Sequence, residues 1–93
     1  MTHEIKILPK YFNAVVMGNK NFELRKNDRL YSVGDTLILK ELDGENYTGN
    51  TCKRTVSYVL KGTGEYGLDV GYCVLGLKNG APIRLDEGLY GSN

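Results

Sequence analysis

Polar and apolar positions alternate through most of this chain, and the first alternation is immediate. His3-Glu4-Ile5-Lys6-Ile7-Leu8 puts Ile5 and Ile7 on one face and predicts an opening strand. Pro9 ends it. Proline suits the first turn of a helix, Phe12, Val15 and Val16 follow at helical spacing, and Gly18 stands where a C-terminal cap belongs. The spacing predicts one short amphipathic helix over about residues 9–17. Its stripe of Leu8, Phe12, Val15 and Val16 would cover one end or side of a sheet.

From Lys20 onward the period is two. A strand near 20–26 would place Phe22 and Leu24 on one face and Glu23 and Arg25 on the other. The expectation is that Phe22 and Leu24 are buried while Glu23 and Arg25 face a groove. The chain then runs through Lys26-Asn27-Asp28-Arg29 to Leu30-Tyr31-Ser32-Val33, and Gly34-Asp35 turns it into an apolar strand over 36–42. Asp43-Gly44-Glu45-Asn46 is a turn signal. Two more strands are expected, about 51–61 and 70–78, separated by the glycine-rich Lys61-Gly62-Thr63-Gly64-Glu65-Tyr66-Gly67. That segment lacks the following helix and the lysine–serine/threonine ending of a P-loop, so it reads as a connection and not as a phosphate cradle. From Gly80 the periodicity fades, and the tail reads as an edge strand or as loose chain.

One helix and five or six short strands on short connections predict a mainly β (α+β) domain. A small, strongly curved antiparallel sheet, closed or nearly closed into a barrel with the helix at one end, accounts for the pattern; a sandwich is the alternative. The 93 residues make one domain, with room for a single modest core.

Composition narrows the function classes. No apolar stretch approaches the ~20 residues needed to span a bilayer, and Met1-Thr2-His3-Glu4 has no signal-peptide character, so a cytoplasmic protein without membrane contact is expected. Cys52 and Cys73 fall in expected strands without C-x-x-C spacing and read as reduced, packed thiols. With a single histidine they make a poor zinc set, and neither metal nor cofactor is implied. A net charge of +1 argues against non-specific coating of nucleic acid. A local patch is still available: residues 20–29 carry Lys20, Arg25, Lys26 and Arg29 against Glu23 and Asp28.

The run Gly18-Asn19-Lys20-Asn21-Phe22-Glu23-Leu24-Arg25 concentrates the chemistry. Its pattern, G-x-K-x-x-E-x-R, resembles the signature of the ASCH domain, a branch of the PUA-like β-barrels associated with RNA binding. His3-Glu4-Ile5-Lys6, Pro9-Lys10-Tyr11-Phe12, the whole of Gly18 to Arg29, Val33-Gly34-Asp35 and Tyr47-Thr48-Gly49 extend the likeness to an ASCH-related family of small bacterial and phage proteins of unknown function, over about residues 3–78. The resemblance implies a PUA-like barrel with a cleft beside the signature that receives RNA or a nucleotide-like ligand. It designates Gly18, Lys20, Glu23 and Arg25, and makes Tyr47 and Thr48 further candidates because they follow an exposed turn inside a matching segment.

Each residue has a chemical role to offer and a plainer explanation. Lys20 can meet a phosphate as a point charge, or simply offset the negative end of the preceding helix. Arg25 can make paired hydrogen bonds to a phosphate or a base edge, and Glu23 can accept from a base amino group or hold Arg25 in place. Alternatively, Glu23 and Arg25 form a surface ion pair contributing ~0–1 kcal/mol. Gly18 is accounted for as a helix cap. His3 is an acid, base or ligand candidate whose ordinary reading is a surface or hydrogen-bonded residue. Among the seven tyrosines, Tyr47 is the preferred stacking candidate.

A binding module for RNA or a nucleotide is therefore the first reading. The alternative is a small hydrolase, an amidohydrolase on a modified nucleoside or a ribonuclease, using Lys20 and Glu23. Some ASCH-like proteins hydrolyse acetylated cytidine with a lysine, a threonine and a glutamate; here Glu23 stands at that threonine's position. A protein partner docking on an exposed strand edge is a third possibility.

Overall fold

A computed structural model describes residues 1–79, so the tail expected from Gly80 onward, with Tyr90, lies outside the described residues. The strands are β1 (Thr2–Ile7), β2 (Phe22–Lys26), β3 (Thr36–Asp43), β4 (Asn46–Lys61) and β5 (Tyr72–Asn79), with one helix, α1 (Pro9–Val16), between β1 and β2. They form a single curled sheet, a half-barrel in the order β1-β3-β4-β5-β2. The described residues thus form a mainly β barrel-like domain, with no second sheet that would make a sandwich.

The sheet is mixed and not wholly antiparallel as expected. β1 runs parallel to β3, with Ile5 opposite Leu39, because the chain leaves β1 through α1, builds β2 on the far edge, and returns before β3. The remaining pairs are antiparallel. Inward positions of the four strands β1, β3, β4 and β5 supply the core: Ile5, Ile7, Leu37, Leu39, Val56, Cys73, Leu75 and Leu77. Burial pushes the Cys73 thiol up from its ordinary range, which keeps it a packed, unreactive group.

α1 contributes Phe12 and Val15 to this core, whereas Leu8 and Val16, expected in the same stripe, are half-exposed. The helix has two turns and touches the sheet along a narrow line. Its last turn is tied down by Arg54 from β4, whose Nη2 donates to the Val15 carbonyl at 3.1 Å. The end itself is a Schellman turn. Gly18 N–H bonds to the Val15 carbonyl and Asn19 N–H to the Ala14 carbonyl, with Gly18 at φ +82°. Glycine adopts that left-handed backbone without Cβ strain.

The largest departure from expectation is in β2. Phe22 and Leu24 are about half exposed on the outside of the sheet, while Glu23 is buried and Arg25 largely so on the inside. The alternation is as read; the faces are reversed. β2 is an edge strand, and its inner face closes the gap between β5 and β1 where no backbone ladder exists. Arg25 Nη1 donates to the Lys6 carbonyl and, from the loop after β2, Arg29 Nη1 donates to the Glu4 carbonyl, both at 3.1 Å. Charged side chains reach across that gap, and apolar ones could not satisfy the β1 carbonyls. Outside, Phe22 lies opposite Gly76, which in turn lies opposite Tyr58; Leu24, Val74 and Leu60 form the next row.

At the start of β1, His3 is not a surface residue. Its ring is buried against Tyr31, with centroids 4.8 Å apart, and its Nε2 lies 2.8 Å from Asp35 Oδ2. Asp35 also accepts from the Ser32 N–H at 3.0 Å and from the amino terminus at 3.1 Å. The His3 hydrogen bond is the main reason the Asp35 carboxyl is lowered to about 2, with the Ser32 N–H and the amino terminus adding to it against burial.

This cluster fixes a pH signature. A carboxylate depressed in the native state stabilises the fold above its unfolded value of ~3.9, and that contribution disappears as pH falls toward about 2. Asp35→Ala should cost roughly 1–3 kcal/mol near neutrality, since His3 and the Ser32 N–H lose their acceptor. Urea denaturation from pH 7 to pH 2 checks both statements: the loss of stability between about pH 4 and pH 2 should be shallower in the variant than in the wild type.

Candidate functional site

Three residues of the motif converge. The Schellman turn delivers Lys20 with its own N–H on the Ala14 carbonyl, so the side chain leaves a fixed backbone. Its Nζ donates to Glu23 Oε1 at 2.6 Å and to the Phe22 carbonyl at 2.8 Å, and lies 5.0 Å from the Phe22 ring centroid and 5.4 Å from that of Tyr11. Glu23 Oε2 accepts from Arg25 Nη1 at 3.4 Å. Glu23 therefore bridges a lysine and an arginine. Its carboxylate is only 7% exposed, a burial that costs several kcal/mol unless both oxygens are satisfied.

Two depressions lie along β2. One, of about 310 Å³, is lined by Tyr11, Lys20, Phe22, Glu23 and Leu24 beside α1. Two aromatic rings and a leucine form its walls, and the Lys20–Glu23 pair gives it a polar end. Apolar walls with a few placed polar groups are the common construction of small-molecule pockets. The other, of about 180 Å³, lies over the β1–β2 gap and is lined by Lys6, Arg25, Arg29, Lys40, Glu4, Ile5 and Tyr47. Glu23 and Arg25, two residues apart on one strand, join the two.

The remaining candidates are placed differently. Gly18 lines neither depression; its role is the left-handed turn that aims Lys20. Tyr47 lies at the second depression, with Lys40 Nζ 4.8 Å from its ring centroid, and is not beside Lys20. Thr48 lines neither depression, and its hydroxyl donates to Glu41 Oε1 at 2.8 Å. Asn50 Nδ2 donates to the same oxygen at 2.9 Å, so Thr48 belongs to a separate group that supplies hydrogen bonds to the buried Glu41 at the β3–β4 bulge. Of the other tyrosines, Tyr31 is core, Tyr58 and Tyr72 are on the outer sheet face, and Tyr66 is fully exposed in the β4–β5 connection.

Sequence reasoning missed Tyr11, Lys6 and Lys40 as lining residues, and placed Arg29 only in the cationic patch over residues 20–29. Lys6 and Lys40 are register partners, which only the parallel β1–β3 pairing makes neighbours. Among the described residues no group of three or more His, Cys, Asp or Glu could hold a metal ion, and no helix is long and apolar enough to cross a membrane.

The Lys20–Glu23–Arg25 chain can do two things chemically. It presents fixed cationic donors beside aromatic walls, and it holds a carboxylate whose oxygens are already committed. Lys20, ion-paired, donates to two oxygens.

The chain is similar to a protein of Escherichia phage P2 described as an uncharacterized 12.9 kDa protein in the GpA 3′ region. The two are 44% identical over 57 residues, which make up 61% of this chain and 52% of that protein, so the chain spans about half the length of that relative. A family model described as a domain of unknown function, DUF3850, matches residues 2–77, a stretch that takes in α1, the whole motif and nearly all of the sheet. With most of its length accounted for in this way, the chain belongs to the DUF3850 family.

Proposed function

We propose that this domain is an ASCH-like, PUA-related module of the cytoplasm that binds RNA or a nucleotide in the depression beside α1. Carrying the reading is the Lys20–Glu23–Arg25 chain set against the rings of Tyr11 and Phe22. A base entering there would stack on an aromatic wall and meet donors at the polar end. Such stacking contributes ~1–3 kcal/mol per base and accepts any base. Phe22 and Leu24 are accessible because the faces of β2 are reversed, which adds apolar surface that a purely charged groove would lack. The overall charge of +1 fits a local site better than a coating surface.

A hydrolase built on Lys20 and Glu23 is the competing reading, and the buried Lys20–Glu23 pair is the observation in its favour. Against it, Lys20 donates to both Glu23 and the Phe22 carbonyl, and a carboxylate next to the reacting carbon would oppose the anionic intermediate of amide hydrolysis.

Anisotropy titration of labelled single-stranded RNA at low salt tests the binding reading. Phe22→Ala should weaken binding by roughly tenfold, consistent with the loss of one stacking contact, while the melting temperature changes little because the ring is half outside the core. Absence of binding by the native protein to any RNA or nucleotide at low salt would overturn the proposal.

Incubation with acetylcytidine, followed by chromatography of the products, separates module from enzyme. The expected outcome is no product. Lys20→Arg, which keeps the charge but cannot serve as a nucleophile near neutral pH, should retain RNA binding within about threefold. Product that forms with the wild type and vanishes in Lys20→Arg would favour the hydrolase.

A further inference from the structure

We infer that the seam between β1 and β2 is a phosphate-binding site, distinct from the aromatic depression and supplied by Arg25, Arg29, Lys6 and Lys40. These four cations converge on one cavity of about 180 Å³, whose lining holds a single carboxylate, Glu4. Glu4 lies 3.4 Å from Lys40 Nζ in an exposed pair and Glu23 Oε2 lies 3.4 Å from Arg25 Nη1, so among the described residues Lys6 and Arg29 are the two of the four cations without a carboxylate partner. Cations gathered this closely repel one another unless an anion sits among them.

Preorganisation distinguishes this cluster from an ordinary solvated face. Arg25 and Arg29 are each anchored by Nη1 to a β1 carbonyl, those of Lys6 and Glu4, two residues apart on one strand edge. That separation puts the two acceptor carbonyls ~6–7 Å apart along β1. Arg25 also hydrogen-bonds the Tyr31 hydroxyl, whereas among the described residues Arg29 is engaged through Nη1, which leaves its Nη2 and Nε for a ligand. The entropy of fixing two long side chains has thus been lost on folding, before any ligand arrives.

The converging geometry selects phosphate over carboxylate. A carboxylate is saturated by one arginine fork in its plane, whereas a phosphate offers several oxygens to donors from different directions. Lys6 and Lys40 reach the cavity from the outer face of β1 and β3, the two arginines from the β2 side. The source of the phosphate rests on the reading above: a nucleotide whose base occupies the Tyr11–Phe22 depression would carry its phosphates past Glu23 to Arg25. The anion chemistry of the seam stands without that reading.

The test is an NMR titration of 15N-labelled protein with inorganic pyrophosphate at constant ionic strength, with sodium chloride as the reference. Saturable shifts at the amides of residues 4–6, 25–29 and 40, weakened at least about fivefold in the Lys6→Gln/Lys40→Gln variant, are expected. Both substituted positions are on the outer face of the sheet, so the variant should fold; Arg29→Lys, which keeps the charge but loses the fork, should also weaken binding. Shifts no greater than those from chloride, or equal affinity in wild type and double variant, would overturn the inference.

Two further titrations identify the source, one with adenosine 5′-diphosphate and one with an RNA of about eight nucleotides lacking a terminal phosphate. Seam shifts with the RNA, together with a log Kd versus log salt slope lower by about 1.4 in the double variant, assign phosphodiesters. Seam shifts with the diphosphate alone assign a terminal phosphate. RNA that shifts Tyr11 and Phe22, with no seam shifts from RNA, diphosphate or pyrophosphate, would overturn the seam site and leave the binding proposal standing. Pyrophosphate binding without any RNA or nucleotide binding would do the reverse.

Discussion

A curled five-stranded sheet that stops short of closing leaves two strand edges facing each other, and here those edges, β1 and β2, are joined by arginine side chains. Arg25 and Arg29 donate to the carbonyls of Lys6 and Glu4, which a sixth strand would otherwise have to satisfy. Both bonds are exposed to solvent, so each contributes no more than about 0.5–1.5 kcal/mol. The requirement explains why the inner face of β2 is charged. Glu23 is held there because Arg25 and Lys20 occupy both of its oxygens, and a buried carboxylate with either partner missing would cost several kcal/mol.

The same constraint produces the candidate site. With Glu23 and Arg25 turned inward, Phe22 and Leu24 must point outward, and with the Tyr11 ring they make an aromatic-walled depression next to the helix. Lys20 reaches its floor because the Schellman turn at Gly18 reverses the chain within two residues of the helix end. Across the strand, the arginines that bridge the seam leave part of their donor capacity facing a cationic cavity. Closure and the proposed recognition therefore draw on one set of side chains. Substitutions at Glu23 or Arg25 will mix stability with binding, whereas Phe22, Lys6 and Lys40 separate the two.

Local features of this architecture were legible in the sequence. The strand at His3–Leu8, the helix opened by Pro9 and ended at Gly18, and the hairpin at Asp43–Asn46 each rest on neighbouring residues, and each is found within a residue or two of its expected place. Features that depend on pairing were not. The period of two through Phe22–Arg25 identifies a strand but not which face is inside, and hydrophobicity points the wrong way for an edge strand whose interior must contact bare carbonyls. The parallel β1–β3 pairing makes Lys6 and Lys40 neighbours across 34 positions of sequence, and nothing local announces it. His3 illustrates the same limit, since its burial depends on Asp35, 32 residues away. The motif located Lys20, Glu23 and Arg25 together, while Thr48 proved to serve Glu41 instead.

The most direct test of this account is the behaviour of the arginine side chains themselves. In NMR spectra of the protein with 15N-labelled arginine, the account predicts that Arg25 and Arg29 show hindered rotation of their guanidinium groups and nuclear Overhauser contacts from Nη protons to backbone protons of β1 at Glu4–Lys6. Both signals should be present without any ligand. Freely rotating guanidinium groups with averaged resonances and no contact to β1 would mean that the two edges are not joined in this way, and would contradict the account.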